Sequence, residues 1–543
     1  MEDRCNMMSE SQAAALHQLS LGNSFKEQGL LEDAVQCYQE GLSICPGSAK
    51  LWFNLGNTFI ELSRLPKAAA ALQQAIALKP DLSAYNNLGY VLKKQGLPKD
   101  AVHYYQKGLD HCPDDAQLWY NMGTTLIELS KLPEAVQALQ QAIILNPDMA
   151  EAYTNLGNAL IRLQRPSEAI DTLQRAITLK PDLADTYNNL GTALQFQGKV
   201  EKAIAAFDHA ITLNPENPEI YNNRAQALLL SGNLSDGFAE YEWRTKINRF
   251  HHFFVWCDDK PRWCGENFSG KRLLVHHEQG YGDAIQFCRY LPMVKARGGI
   301  VQFSTRQPLL RLFTNLPGVD ELIEYTSDAI CGTQSDLTVP LMSLPHIFGT
   351  TLNTIPANIP YLTIDRSCID LWHNKMNHHE PTIRVGLVWA GNPANNLGQI
   401  RTCGLRAMSP LANVPDTIFY SLQKDEAAKE TTTPPAGMRL VDLTSDIEDF
   451  ADTAALIMNL DLVISIDTAV AHLAGALGKP VWMLLPAAGE WRWLLDRKDT
   501  PWYPTMRLFR QTAPGDWAGV MTAVVQELRT LLSAKNPAAI AGV

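Results

Sequence analysis

Basic residues are in the minority in this chain: 46 Lys and Arg stand against 57 Asp and Glu, a formal net charge of −11. That balance repels a phosphate backbone, and no run of Lys and Arg supplies a locally basic face, which argues against nucleic acid as a partner. Cysteine is sparse and scattered, with ten in 543 residues. No CxxC pair and no Cys/His cluster at zinc-ligand spacing occurs, so reduced thiols and no metal centre are expected. Long hydrophobic runs are missing too. The longest uncharged stretch, Leu337 to Ile364, holds Pro340, Pro345, Pro356 and Pro360 and cannot form a membrane-spanning helix. Met1-Glu2-Asp3-Arg4 is followed by polar residues instead of the apolar core of a signal peptide, so a cytoplasmic location is expected. What composition supplies is 46% apolar and 19% charged residues, the mix of a folded chain with room for about three domains.

Internal repetition is the strongest signal. Glycines recur at 22, 56, 89, 123, 157 and 191 and prolines at 46, 80, 113, 147, 181 and 215. Every step is 34 residues except one of 33, which places a one-residue deletion in the turn just after Pro80. Within one unit Trp52, Leu55, Gly56, Phe59, Ala68, Leu72, Ala75 and Pro80 resemble the tetratricopeptide pattern, a helical hairpin whose small residues let paired helices approach and whose proline ends the unit. One hairpin cannot bury its own apolar face, so the array is stable only by stacking. Six good units span about 15 to 217. A seventh begins at Pro218 and decays, with Ala225 in place of the glycine and Tyr241-Glu242-Trp243-Arg244 closing it, in the manner of a terminal unit docking on the next domain.

Asn54, Asn87, Asn121, Asn155, Asn189 and Asn223 occupy one repeated position. On a solenoid such a position forms a ladder, and carboxamides both donate and accept. The ladder either holds an extended peptide by its backbone or satisfies neighbouring helices. It resembles the asparagine ladder of the O-linked N-acetylglucosamine transferases, which implies a protein or peptide partner in the repeat groove.

Past Arg249 the period vanishes and strand-like runs alternate with helical ones. Strands are expected at Arg272–His277, Ile300–Ser304, Ile383–Ala390, Ile418–Leu422, Arg439–Val441, Leu460–Ile466 and Val481–Leu485. Two such series separated by a polar stretch predict two doubly wound parallel-sheet domains facing a cleft. The expected organisation is an N-terminal tail at 1–14, repeats at 15–249, a connector at 250–269, a first α/β half at 270–370, a linker at 371–381 and a second α/β half at 382–543.

In such sheets ligands bind where strands turn into helices. The first junction reads Glu278-Gln279-Gly280-Tyr281-Gly282-Asp283; Asp283 is either a plain helix cap or a carboxylate placed as general base. The second ends a buried strand in Asp467-Thr468, with His472 one helical turn further on. That helix start offers unpaired N–H groups to a diphosphate, with Thr468 and His472 as donors, unless His472 is structural.

Asp467-Thr468-x-x-x-His472-Leu473-Ala474-x-Ala476 resembles the nucleotide-sugar signature of glycosyltransferase family 9, the ADP-heptose transferase-like enzymes, and Gly282-Asp283 resembles their amino-terminal Gly-Asp motif. The wider text, including Val388-Trp389-Ala390-Gly391-Asn392-Pro393 and Trp491-Arg492-Trp493, is similar to bacterial proteins that join tetratricopeptide repeats to such a domain. The resemblance implies an all-α solenoid followed by the two-domain GT-B architecture. It implies an inverting, metal-independent transfer from a nucleoside diphosphate sugar without a further cofactor, with Asp283 as base. Gly280, Gly282, Arg401, Asp467, Thr468 and His472 would then hold the donor. One departure is plain: the basic loop usual after Gly391-Asn392-Pro393 reads Ala394-Asn395-Asn396-Leu397-Gly398-Gln399-Ile400-Arg401-Thr402, leaving Arg401 alone to neutralise phosphate. Two alternatives stay open: a scaffold whose transferase domain has lost its chemistry, and an enzyme whose acceptor is a lipid-linked glycan. Trp491, Trp493 and Trp502 either wall a base or sugar or pack between domains. Cys257-Asp258-Asp259 has no clear metal role.

Overall fold

After the first, the repeats begin with a 13-residue helix, as in Ala49–Glu61, Leu82–Lys94, Ala116–Glu128 and Ala150–Arg162. Fourteen-residue helices come next at Leu65–Leu78, Pro98–His111, Leu132–Leu145 and Pro166–Leu179. This computed structural model describes residues 2–248, 250, 260–376, 383–392, 396–487 and 489–535. Ser48, Asp81 and Asp115 cap the first helices, and proline in the first turn starts the second ones, where its missing N–H costs nothing. The close approach needs glycine: a Cβ on Gly56 would meet Leu72 at 2.8 Å and one on Gly123 would meet Leu139 at 2.7 Å. The one-residue deletion falls in the turn Lys79–Asp81, between helices, as the spacing requires. The stretch expected as a tail belongs to the first helix, Glu2–Glu27.

The chain divides into two compact units, Met1–Ala193 and Leu194–Val543. The second does not begin where the repeats end. It includes the repeat helices Val200–Leu213, Pro218–Leu230 and Leu234–Tyr241 and the 3-10 turn Glu242–Lys246, so the last repeats belong with the α/β half. Trp243 stacks on Tyr221 at 4.1 Å within this terminal unit.

Two parallel sheets complete the second unit. The first contains β1 (Arg272–His276), β2 (Ile300–Thr305), β3 (Glu321–Glu324) and β4 (Leu337–Pro340), in the order β3-β2-β1-β4. The second contains β5 (Ile383–Val388), β6 (Thr417–Ser421), β7 (Leu440–Asp442), β8 (Leu462–Ile466), β9 (Val481–Leu485) and β10 (Met506–Arg510). Its order, β10-β9-β8-β5-β6-β7, is that of the doubly wound dinucleotide-binding sheet. Leu273 pairs with both Val301 and Leu337, and Val385 with both Phe419 and Leu462. The winding therefore reverses between β1 and β4 and between β5 and β8, and those two crevices position the site.

Helix replaces the first part of the expected linker: Arg366–Met376 is helical, with Trp372 buried and its indole N–H donating to Asp452 at 3.4 Å. The rest of that linker, 377–381, lies outside the described residues, as do Arg249, Cys257-Asp258-Asp259, Pro393, Ala394 and Asn395.

Candidate functional site

In the first unit, ladder asparagines spend their amide donors on the preceding repeat. Asn54 donates to Asn23, and Asn87 to Asn57, at 2.8 Å. Asn121 donates to Asn86 at 2.5 Å, Asn155 to the Tyr120 hydroxyl at 3.2 Å and Asn189 to the Thr154 carbonyl at 3.5 Å. These bonds stitch one repeat to the next. Asn223 lies in the second unit, on the helix Pro218–Leu230.

In the second unit two helices from different sheets meet. Tyr281–Phe287 comes after β1 and Ala469–Ala476 after β8. A Cβ on Gly282 would stand 3.0 Å from the His472 ring and 3.5 Å from the Ala469 Cα, so Gly282 serves this contact. Gly280 is the residue before the first helix, and its N–H donates to the Asp283 carboxylate at 2.8 Å, so Asp283 satisfies the backbone donor at the helix start. The other Asp283 oxygen accepts from Arg492, which reaches across from the loop after β9. Arg492 also donates to Gln286 at 2.7 Å and to Glu490 at 2.6 Å. Burial disfavours its charge, but Glu490 and Asp283 outweigh that and raise its pKa. Glu490 shifts upward because burial dominates there.

Asp467 is buried at the end of β8. Its carboxylate sits 3.1 Å from Arg401 and 3.7 Å from the His472 Nε2. Burial opposes its ionisation, yet the Arg401 charge holds its pKa below the usual range. The other His472 ring nitrogen is 2.9 Å from the Tyr503 hydroxyl, and the ring stacks on Trp493. Burial lowers the His472 pKa to about 4, so it is neutral at neutral pH. The tryptophans pack: Trp491 contacts Phe238, Phe287 and Trp502 edge-on or stacked.

Beside this network a cavity of about 680 Å³ opens at the carboxyl ends of β5 and β6, lined among others by Tyr281, Val388, Gln423, Phe450 and Thr468. The size and largely apolar wall suit a nucleoside-sized ligand. Of the sequence-predicted donor residues only Thr468 lines it. Thr468 is the extended residue before the helix Ala469–Ala476 and makes no side-chain capping bond of its own, and Thr468, Ala469 and Val470 at that helix start line the cavity. Gln423, which the motifs did not single out, accepts from the Trp389 and Ala390 N–H groups at 3.1 and 2.9 Å and so fixes the end of β5. Tyr281 and Phe450 meet across the cavity, ring centroids 5.2 Å apart, while Arg311 pairs with Asp449 and Asp452 at 2.7 Å. A buried arginine between two tryptophans was the available clue to Arg492; nothing in the local sequence marked Gln423.

Residues 417–487, which run from β6 through β9, match glycosyltransferase family 9 (heptosyltransferase). Tetratricopeptide repeats match at 22–62, 56–96, 83–115, 120–184 and 196–232. The chain joins tetratricopeptide repeats to a segment that matches glycosyltransferase family 9. The family match takes in Gln423, Asp467, Thr468 and His472, and Asp283, Arg401 and Arg492 lie outside it. Protein FlbA of Caulobacter vibrioides is 28% identical over 294 residues, 49% of this chain and 48% of that protein. Protein O-mannosyl-transferase TMTC3 of Homo sapiens is 29% identical over 119 residues, 19% of this chain and 13% of that protein. The chain thus spans less than half the length of either relative. The crystal structure of YrrB, a TPR protein with an unusual peptide-binding site, is 25% identical with a TM-score of 0.31, covering 34% of this chain and 95% of that one. No helix among the described residues is long and apolar enough to cross a membrane.

Proposed function

We propose that the protein transfers a sugar from a nucleoside diphosphate sugar seated in the 680 Å³ cavity to an acceptor recruited by the repeats. The observation that carries this reading is that the start of the helix Ala469–Ala476, without a side-chain cap, lines the cavity wall, within the segment that matches the glycosyltransferase family. The N–H groups there and the Thr468 hydroxyl would hold the diphosphate. Their partial positive charge, with Arg401 close behind Asp467, would stabilise the leaving group without a metal or cofactor. Asp283 would take the acceptor proton once its ion pair with Arg492 opens. His472, neutral and tied to Tyr503, would hold the helix against Gly282. The acceptor is proposed to be a protein segment held on the repeat array.

A non-catalytic scaffold is the second reading. It is favoured by two observations: both Asp283 oxygens are already engaged, and Arg401 is paired with Asp467. Calorimetry with UDP, GDP and ADP tests the donor seat on which the transferase reading rests. On the transferase reading at least one binds with one-to-one stoichiometry, Thr468→Val weakens it about tenfold, as for a hydrogen bond to a charged group, and Val470→Trp fills the cavity and abolishes it. Equal affinity in all three proteins would refute the placement.

A further inference from the structure

The crevice between β1 and β4, where an open parallel sheet reserves space for a ligand, is filled by a side chain of the terminal repeat unit. Arg244, fully buried on the 3-10 turn Glu242–Lys246, donates to both oxygens of Glu278 at 3.0 and 2.8 Å. Glu278 comes just after β1, and it also accepts from the Met342 N–H, just after β4, at 2.7 Å. Arg244 further donates to Ser343 at 2.9 Å, to Glu242 at 2.7 Å and to the Tyr241 carbonyl at 3.1 Å. Both lips of the crevice therefore grip one guanidinium. One residue further along, Gln279 has φ 62, a left-handed backbone that a non-glycine residue keeps only where its surroundings fix it. The fixing contact is again from the repeat unit: the Gln279 amide donates to the buried Tyr241 hydroxyl at 2.8 Å. Gly280, whose N–H donates to the Asp283 carboxylate, comes directly after it.

We propose that the last repeat unit is a working part of the site, with Tyr241 and Arg244 as positioning residues for the loop Glu278–Asp283. This rests on the transferase reading for its functional consequence, not for its structural one. Neither residue lines the cavity; they act through Gln279 and Glu278, setting the backbone that aims Asp283. Arg244 is a bidentate fork that lysine does not reproduce, and the pair it makes is buried, so breaking it risks the fold. Tyr241→Phe is the gentler probe, since it keeps the ring beside Arg244 and removes only the acceptor of the Gln279 amide.

The test uses the full chain, Tyr241→Phe and Arg244→Lys, with two readouts: amide hydrogen exchange, and nucleoside diphosphate release from UDP-, GDP- and ADP-sugars with denatured lysate protein supplied as the hydroxyl acceptor. Exchange across 278–287 is expected to rise about threefold or more in Tyr241→Phe while 462–476 stays as in the wild type. For any donor the wild type consumes, kcat is expected to fall about threefold to tenfold, the range for one lost hydrogen bond, with KM for the donor unchanged. Unaltered exchange at 278–287 in Tyr241→Phe overturns the proposal, and raised exchange with unaltered kcat overturns its functional half. If the wild type consumes no donor, the transferase reading fails, and the exchange result still decides whether the repeat unit holds the loop.

Discussion

Asp283, open in the sequence between helix cap and general base, accepts from the Gly280 N–H at the start of its helix and pairs with Arg492. Asp283→Asn preserves the cap while removing the charge, so turnover should fall about 10²–10⁴-fold, as for loss of a general base, with nucleotide affinity nearly intact. Equal turnover would leave Asp283 as a cap. The histidines give a second prediction. Burial lowers His276 to about 3 and His277 and His472 to about 4, against an ordinary value near 6.5 in the unfolded chain. The unfolded state then binds protons that the folded state refuses, so stability is full above pH 6.5 and falls as pH drops towards 4. Urea unfolding of the full chain at pH 7.5, 6 and 5, monitored by near-ultraviolet circular dichroism of the tryptophan-rich α/β half, should show that loss; a midpoint constant over this range would contradict it. Among single residues, those of the motifs were legible because strand-to-helix junctions announce themselves by small residues and glycine. Their burial was not, since nothing local says that Asp467 and His472 turn away from the cavity while Thr468 faces it.

Among the helices and strands, the 34-residue period placed the repeat hairpins because hydrophobic spacing and turn prolines repeat together. Most strands were equally plain, being short apolar runs buried on both faces. Three were not. β3 carries a glutamate at each end, β4 is four residues ending in Pro340, and β10 has Arg507 and Arg510 within it. β3 and β10 are edge strands, and an edge tolerates charge, so the apolar signal fades there. The ladder was open between peptide binding and structure. Since its amides bond to the preceding repeat, changing Asn87, Asn121 and Asn155 together to Ala should destabilise the array, at about 0.5–1.5 kcal/mol for each lost bond. Urea unfolding of fragment 1–193 and its triple variant checks this. Identical midpoints would mean that these bonds are immaterial to stacking and leave the asparagines free for a partner.

For the whole molecule, the boundary that matters is not where the repeats end. The period ran on to about 249, which suggests cutting there, but Phe238 packs on Trp491, Leu230 meets Gly489 and Arg244 is buried against Glu278. A fragment 194–543 is therefore expected to fold with a cooperative melt, and a fragment 250–543 to be insoluble or molten, because it loses the guanidinium that neutralises buried Glu278. Cooperative melting of 250–543 would contradict that division. Sugar transfer from a nucleoside diphosphate donor bound at the helix after β8 has a direct readout in the nucleotide it frees. The decisive experiment is nucleoside diphosphate release by the full-length wild type, Asp283→Asn and Val470→Trp, from a panel of UDP-, GDP- and ADP-sugars with denatured lysate protein supplied as the hydroxyl acceptor. Release is expected from at least one donor, lost in Asp283→Asn through kcat and in Val470→Trp through binding. No release from any donor, or the same rate in all three proteins, would show that this chain does not transfer sugar from that seat.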